Sequence, residues 1–279
     1  MQVFQPCAVI PTYDNPATVR AVVEAVRAHV ADVVVVDDGS GAAGRAAVDA
    51  ITSSGLAHLE RHARNAGKGA AVKSGFTAAQ RLGATHVLQV DADGQHDLGD
   101  VPRFLAEARA HPDALILGRP VFDATQPRSR AFARQLSIFW VSVETGGRAI
   151  ADPQCGFRVY PLAAALAARA RGDHMEFDLE LPVRMVWAGT PVRNIPTRVR
   201  YLSADEGGVS HYDVLRDTAR ISWLHVRLAL GAAARALSSI RKEAGDCRLQ
   251  VSRSEPEASE DHRVGSEPKA SEGPAEVPL

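Results

Sequence analysis

The sequence has few cysteines, almost no net charge and no long apolar run, and each shortage closes a class of function. Cys7, Cys155 and Cys247 are odd in number and widely scattered, without metal-site or disulfide spacing, so a reducing compartment is inferred. A net charge of -1 over 279 residues leaves no global cationic field, so no nucleic-acid partner is expected. There is no stretch of about 20 apolar residues to span a bilayer, and no transmembrane partner is identifiable. The opening MQVFQPCAVIP lacks a basic n-region and a long apolar run, so it does not read as a signal peptide. A cytoplasmic protein is expected. What is present is a globular composition, 46% hydrophobic and 23% charged, in a chain long enough to bury a substantial core.

The most informative stretch is THVLQVDADGQHD, Thr85 to Asp97. Thr85 to Val90 has the β-branched and apolar content of a buried strand. Asp91, Asp93 and Gln95 follow on alternate residues, which on an extended backbone points all three to one side. Converging oxygen donors suit a hard divalent cation, and such a cation can hold a diphosphate. A polar turn capping the next helix explains the same residues.

The chain around it alternates strand and helix. Cys7 to Ile10 is a strand ending at Pro11. In TYDNP, Asn15 reads as an N-cap and Pro16 as the first helical position, followed by Val19, Val22, Val23, Val26 and Val30 on one helical face. Asp32 to Val36 is a valine strand typical of a parallel sheet, and Asp37 to Ser40 is a turn. A helix at 42–53, a weak strand at 56–61 and a helix opened by RNAGKG and running to about Leu82 complete a β-α-β-α-β-α-β pattern. Its polar clusters lie at the carboxyl ends of three strands, where open α/β sheets bind ligands. Further on, the pattern predicts helices at about 101–110, 129–145, 163–170 and 176–187, strands at 114–117 and 192–201, and a turn followed by a strand over 152–160. From Asp213 to about Lys242 a long helical segment places Arg216, Arg220, Arg227, Arg235 and Lys242 on one side. Ile221, Trp223, Leu224, Val226, Leu228 and Leu230 take much of the rest. Such a segment lies on anionic lipid or packs on the domain with a solvated basic edge. The last 30 residues hold seven acidic and three basic side chains and no aromatics, a disordered composition. The expected division is a catalytic domain over 1–212, a basic amphipathic segment over 213–245 and a tail over 246–279.

PTYDNPATV, VVDDGS, RNAGKGAAVKSGF and VDADGQHD, in that order, resemble the inverting, GT-A fold glycosyltransferases of family 2. The form DADGQH, Gly118–Arg119 and the lack of a processive QxxRW signature resemble, within that family, the dolichyl and polyprenyl-phosphate sugar transferases. The resemblance implies an α/β, Rossmann-like fold with a mostly parallel sheet and helices on both faces. It implies transfer of a sugar from a nucleoside-diphosphate sugar to a membrane lipid acceptor, with Mg²⁺ or Mn²⁺ at Asp91, Asp93 and Gln95. Pro11, Tyr13, Asp14 and Asp38 then match the positions that hold base and ribose. Asp38 also reads as a turn-forming residue, and relatives usually carry Asn–Glu where this chain has Asp14–Asn15.

Gly67 and Lys68 open a helix whose backbone N–H groups can line a nucleotide site, or form an ordinary glycine turn with a surface lysine. Asp91, Ala92 and Asp93 meet the donor, with Asp91 and Asp93 as the catalytic pair. Ser210 and His211 match a loop that closes over the diphosphate, where histidine replaces the usual lysine. On the acceptor side the resemblance assigns Arg119 and one of Arg128, Arg130 and Arg134, with spacing favouring Arg130. Asp152, Gln154 and Arg158 resemble the segment lining that side, and part of that segment reads as β-strand core.

A phosphate acceptor is already anionic and needs no strong base. A hydroxyl acceptor needs a carboxylate, for which Glu176, Asp178 and Glu180 are candidates, although first-turn helix charge explains them too. EFDLELPVRMVWAGTPV and VSHYDVLRDTARISWLH are similar to glycosyltransferases of aryl polyene or xanthomonadin pigment pathways, which implies a lipid-linked acceptor other than dolichol. A sugar nucleotidyltransferase and a catalytically silent membrane-surface binding protein are the rival readings. The expected location is the cytoplasmic face of the membrane, held peripherally.

Overall fold

The computed structural model describes residues 3–122, 128–147, 150–201 and 213–253, with side chains described outside 128–131, 214 and 239–253. The strands are β1 (Pro6–Thr12), β2 (Asp32–Asp37), β3 (His58–Arg61), β4 (His86–Gln89), β5 (Leu115–Phe122), β6 (Arg158–Pro161) and β7 (Val192–Val199). They form one sheet in the order β3-β2-β1-β4-β6-β5-β7. β1 to β4 run parallel, β6 runs against both neighbours, and β5 pairs with β7 in parallel.

The helices are α1 (Val19–Arg27), α2 (Ala42–Ser53), α3 (Lys68–Arg81), α4 (Val101–Ala110), α5 (Arg128–Glu144), α6 (Leu162–Ala167), α7 (Phe177–Trp187) and α8 (Val214–Arg253). Alternation along the valine strand divides the core between the two faces of the sheet. Val34 and Val36 pack with Phe76 of α3 and Leu181 of α7. Val33 and Val35 pack with Val22 of α1 and Phe104 of α4. The mostly parallel sheet with helices on both faces is the architecture expected from the sequence. Strand order reverses between β1 and β4, so the loops after their carboxyl ends open a crevice.

Two local expectations are corrected. α1 starts at Val19 because Asn15 closes a turn instead of capping: its carbonyl accepts the N–H groups of Thr18 and Val19 at 3.3 and 3.1 Å. β5 continues past Leu117 because β7 pairs with it as far as Phe122. One compact unit is Met1–Ala234 and the second Arg235–Leu279. Leu224 and Leu228 of α8 are buried in the same core as Leu181 and Met185.

Between Thr218 and Ala234 the exposed positions of α8 carry no charge. Trp223 and Leu230 are 63% and 68% exposed, while Arg220 and Arg227 are half-buried. No described helix is long and apolar enough to cross a membrane. The 254–279 tail, Ser210 and His211 lie outside the described residues.

Candidate active site

A cleft of about 520 Å³ opens where the loops after β1, β2 and β4 meet. Pro11 lines it from the end of β1, Tyr13 from the loop that follows, Asp38 from the second loop, and Asp91, Ala92, Asp93 and Gln95 from the third. Gly67 and Lys68 join them at the start of α3.

Each loop is fastened by short-range chemistry. Asp37 makes the turn after β2, accepting from Ser40 N–H at 2.9 Å and from Arg61 Nε at 2.8 Å. Burial opposes its ionisation, but the Ser40 hydrogen bonds and the Arg61 guanidinium hold the carboxyl below the ordinary range. Asp38 braces the RNAGKG loop, accepting the N–H groups of Ala66 and Gly67 at 2.9 and 2.8 Å, with His62 Nδ1 at 2.6 Å. The turn-forming role open to Asp38 therefore belongs to Asp37. Gly67 has φ +104°, and a Cβ there would lie 2.3 Å from the Asp173 carbonyl oxygen, so no other residue fits. Asp14 does not line the cleft: its carboxylate accepts Gly41 N–H at 2.8 Å and ties the β1 loop to the start of α2. Its neighbour Asn15 and Thr12 face the cleft instead.

The carboxylates carry the electrostatics. Lys68 Nζ lies 2.7 and 2.8 Å from the two oxygens of Asp91 and 2.7 Å from Asp178 Oδ2. Burial alone would raise the Asp91 carboxyl and lower the Lys68 ammonium, but their mutual attraction, with Asp178 and His96, drives Asp91 down and Lys68 up. Asp93 moves the other way, raised by burial and by the neighbouring Asp91 charge. Its Oδ1 accepts Gln95 N–H at 3.0 Å. Gly156 makes room for this group: a Cβ there would meet Asp91 Oδ2 at 2.1 Å. Among the described residues no cluster of three His, Cys, Asp or Glu side chains is arranged for a metal. Two adjacent carboxylates, with an amide beside them and one buried Asp91 oxygen left without a hydrogen-bond partner, nonetheless fit a hard cation chemically. Asp91, Asp93 and Gln95 would hold it.

On the other wall Arg134 pairs with Asp152 at 2.6 Å and lies 4.6 Å over the Phe122 ring. Two of the expected acceptor arginines are placed elsewhere. Arg158 is fully buried. Its guanidinium donates to the carbonyls of Cys155, Pro153 and Asp178 and to Tyr160 Oη. Lying within β6, which is buried along its length, it braces the core and cannot reach an acceptor. Arg119 is exposed. Pro120 and Phe122 face the cleft, so strand alternation turns Arg119 to the opposite side. The side chains of Arg128 and Arg130 lie outside those described.

Of the three candidate bases, Glu176 accepts the N–H groups of Asp173 and His174, at 3.2 and 3.4 Å. Glu180 is buried under Arg184 and the N–H groups of Arg171 and Gly172. Only Asp178 of these lines the cleft.

Residues 7–164 match the family model for glycosyl transferase family 2. The chain belongs to that family. Two uncharacterized proteins of Methanocaldococcus jannaschii are related to this glycosyltransferase. One is 25% identical over 180 residues, 61% of this chain and 70% of the relative. The other is 27% identical over 165 residues, 54% and 69%. Among solved structures the fold is similar to glucosyl-3-phosphoglycerate synthase from Mycobacterium tuberculosis. Its complex with uridine diphosphate superposes with a TM-score of 0.61 at 15% identity, covering 82% of this chain and 80% of that one. Its complex with Mn²⁺ and UDP-glucose gives 0.58 at 13% identity, covering 82% and 78%.

Some cleft residues of the transferase were not foreseen. Arg216, Arg220 and Ile221 of α8 line it. Their i, i+4 spacing is visible in the sequence, but not the side of the helix that packs inward. His62 joins Asp38 to Ser74 Oγ of α3, at 2.9 Å from Nε2, a long-range link that carries no local signal.

Proposed function

We propose that this glycosyltransferase moves a sugar from a nucleoside-diphosphate sugar to a lipid-linked acceptor at an anionic membrane surface, with a polyprenyl phosphate as the favoured acceptor. The donor half of the reading is supported by the carboxylate-walled cleft at the ends of β1, β2 and β4. A bound Mg²⁺ or Mn²⁺ would neutralise charge on the departing diphosphate. Tyr13 lines the region where a base can stack, and Asp38 keeps the loop at Gly67 in place.

The acceptor half rests on one observation. α5 and α8 both contribute to the cleft, through Ala133 and Arg134 and through Arg216 and Ile221. The same helices turn large apolar side chains outward: Phe132, Leu136, Phe139 and Val143 on α5, and Trp223, Val226 and Leu230 on α8. From Phe132 to Val143 and from Thr218 to Ala234, the exposed described positions carry no charge. An aromatic-rich apolar face of this kind marks an interaction surface. Exposed Arg216 at the cleft favours anionic headgroups. A phosphate acceptor is favoured over a hydroxyl because the carboxylates of the 176–180 stretch are engaged: Glu176 and Glu180 on backbone N–H groups, Asp178 on the Lys68 ammonium.

Vesicle flotation with phosphatidylglycerol-containing liposomes tests the surface. Wild type should float, and the double variant Phe139→Asp/Trp223→Asp should stay behind with its circular dichroism intact. Flotation unchanged in the variant, or absent in wild type, would remove the membrane part. Transfer of label from nucleotide sugars to a short polyprenyl phosphate tests the acceptor, and its absence across the common donors would remove that.

A further inference from the structure

Lys68 is the first residue of α3, beside a loop already fixed by Asp38 and by Gly67. Its ammonium makes three short contacts, at 2.7 and 2.8 Å with Asp91 and at 2.7 Å with Asp178. The ammonium donates a hydrogen bond to Asp91 Oδ2, whereas Asp91 Oδ1 is buried without a hydrogen-bond partner and is held to the ammonium by charge alone. Asp178 has a separate anchorage: Gln89 Nε2 donates to its Oδ1 at 3.2 Å, and Arg158 lies 3.9 Å from the same oxygen. Asp91 in turn is pressed against Gly156. The carboxylates are therefore fixed, and the four-carbon lysine stem is the part free to move.

We propose that Lys68 is a resident counter-cation for Asp91, and that a divalent ion enters only by displacing the Lys68 ammonium from Asp91 onto Asp178. Asp178 is then a positioning residue: it receives the ammonium and keeps it within the cleft, available to an arriving diphosphate. The proposal rests on the reading of Asp91 and Asp93 as cation ligands. It goes further in making the lysine a competitor of the cation, not a partner. The bound ion and the ammonium seek the same oxygens, so removing the positive charge strengthens cation binding. A lysine that merely propped the site would have the opposite effect.

Binding of Mn²⁺ alone to the full chain, followed by loss of the free-ion electron paramagnetic resonance signal, tests this without any turnover. Lys68→Met should bind Mn²⁺ about tenfold more tightly than wild type, the scale of removing one like charge a few ångströms away in a partly buried site. Lys68→Arg should stay within about threefold of wild type. Asp178→Asn, which removes the alternative seat, should weaken binding, because the ammonium then stays on Asp91. Unchanged or weaker binding by Lys68→Met overturns the proposal. If that variant does not fold, unchanged or tighter binding by Asp178→Asn overturns it. If neither wild type nor Lys68→Met binds Mn²⁺, the cation reading of Asp91 and Asp93 falls and takes this proposal with it. If both bind equally, only this proposal falls.

Discussion

In the half of the sheet built from β1 to β4, every strand runs parallel and hands its loop to the same edge. In the half built from β5 to β7, one strand runs against its neighbours and the charged residues divide between core and surface. Asp38, Asp91 and Asp93 follow strand ends and line the cleft. Arg158 lies inside β6 and is fully buried, and Arg119 lies inside β5 and faces away. A charge just past a parallel strand is delivered to the crevice, whereas a charge within a strand goes wherever the alternation and the covering layers send it.

The largest effect should come from breaking the donor side. Asp91→Ala or Asp93→Ala should cut sugar transfer by about 10³-fold or more, the scale of losing a principal electrostatic stabiliser, with circular dichroism unchanged. A variant with full activity would show that the parallel half holds a carboxylate cluster with no catalytic part.

This difference explains what was legible in the sequence. The β-α-β alternation, the DDGS turn and the alternate residues Asp91, Asp93 and Gln95 are local patterns, and the cleft collects them because parallel strands share one end. Asp14 was misplaced by a single residue. The turn after β1 spends Asp14 on Gly41 and gives the cleft Asn15, and no periodicity distinguishes neighbours in a turn. Arg119 was misplaced because β5 was expected to stop at Leu117, while pairing with β7 extends it and fixes which side each residue faces. Arg158 was assigned to the acceptor side by resemblance, because nothing local in DPQCGFRVY reveals which of its residues lie in the buried strand. The inward side of α8 was equally hidden, since both its basic and its apolar residues recur at helical spacing.

The next effect concerns the buried arginine. Arg158→Met should destabilise the fold by about 3–5 kcal/mol, the usual result of removing one partner of a buried charged network, measured by urea denaturation. A stable Arg158→Met variant with selectively weakened acceptor binding would return this residue to the site and erase the contrast between the halves.

The smallest effect is a slope with pH, and it tests the contact between α5 and α8. Glu144 is buried and meets His225 Nδ1 at 2.8 Å. Burial raises its carboxyl above the ordinary 4.5, more than the His225 hydrogen bond lowers it. The folded state therefore holds this proton more readily than the unfolded chain. The contribution to stability is fullest at low pH and is lost as pH rises from about 4.5 through the raised value. Glu144→Gln has no such proton. Its stability relative to wild type should improve as pH rises over that window, by denaturant titration at a series of pH values. The Glu144 carbonyl, which accepts Trp187 Nε1 of α7 at 2.9 Å, is untouched by the change, so the contact of α5 with α7 persists. A relative stability that falls with rising pH would mean that the His225 pairing outweighs burial. α5 and α8 would then be joined by a net attractive charge pair, as Lys68 and Asp91 are in the cleft, and the two halves would differ in where they keep their charges but not in how they use them.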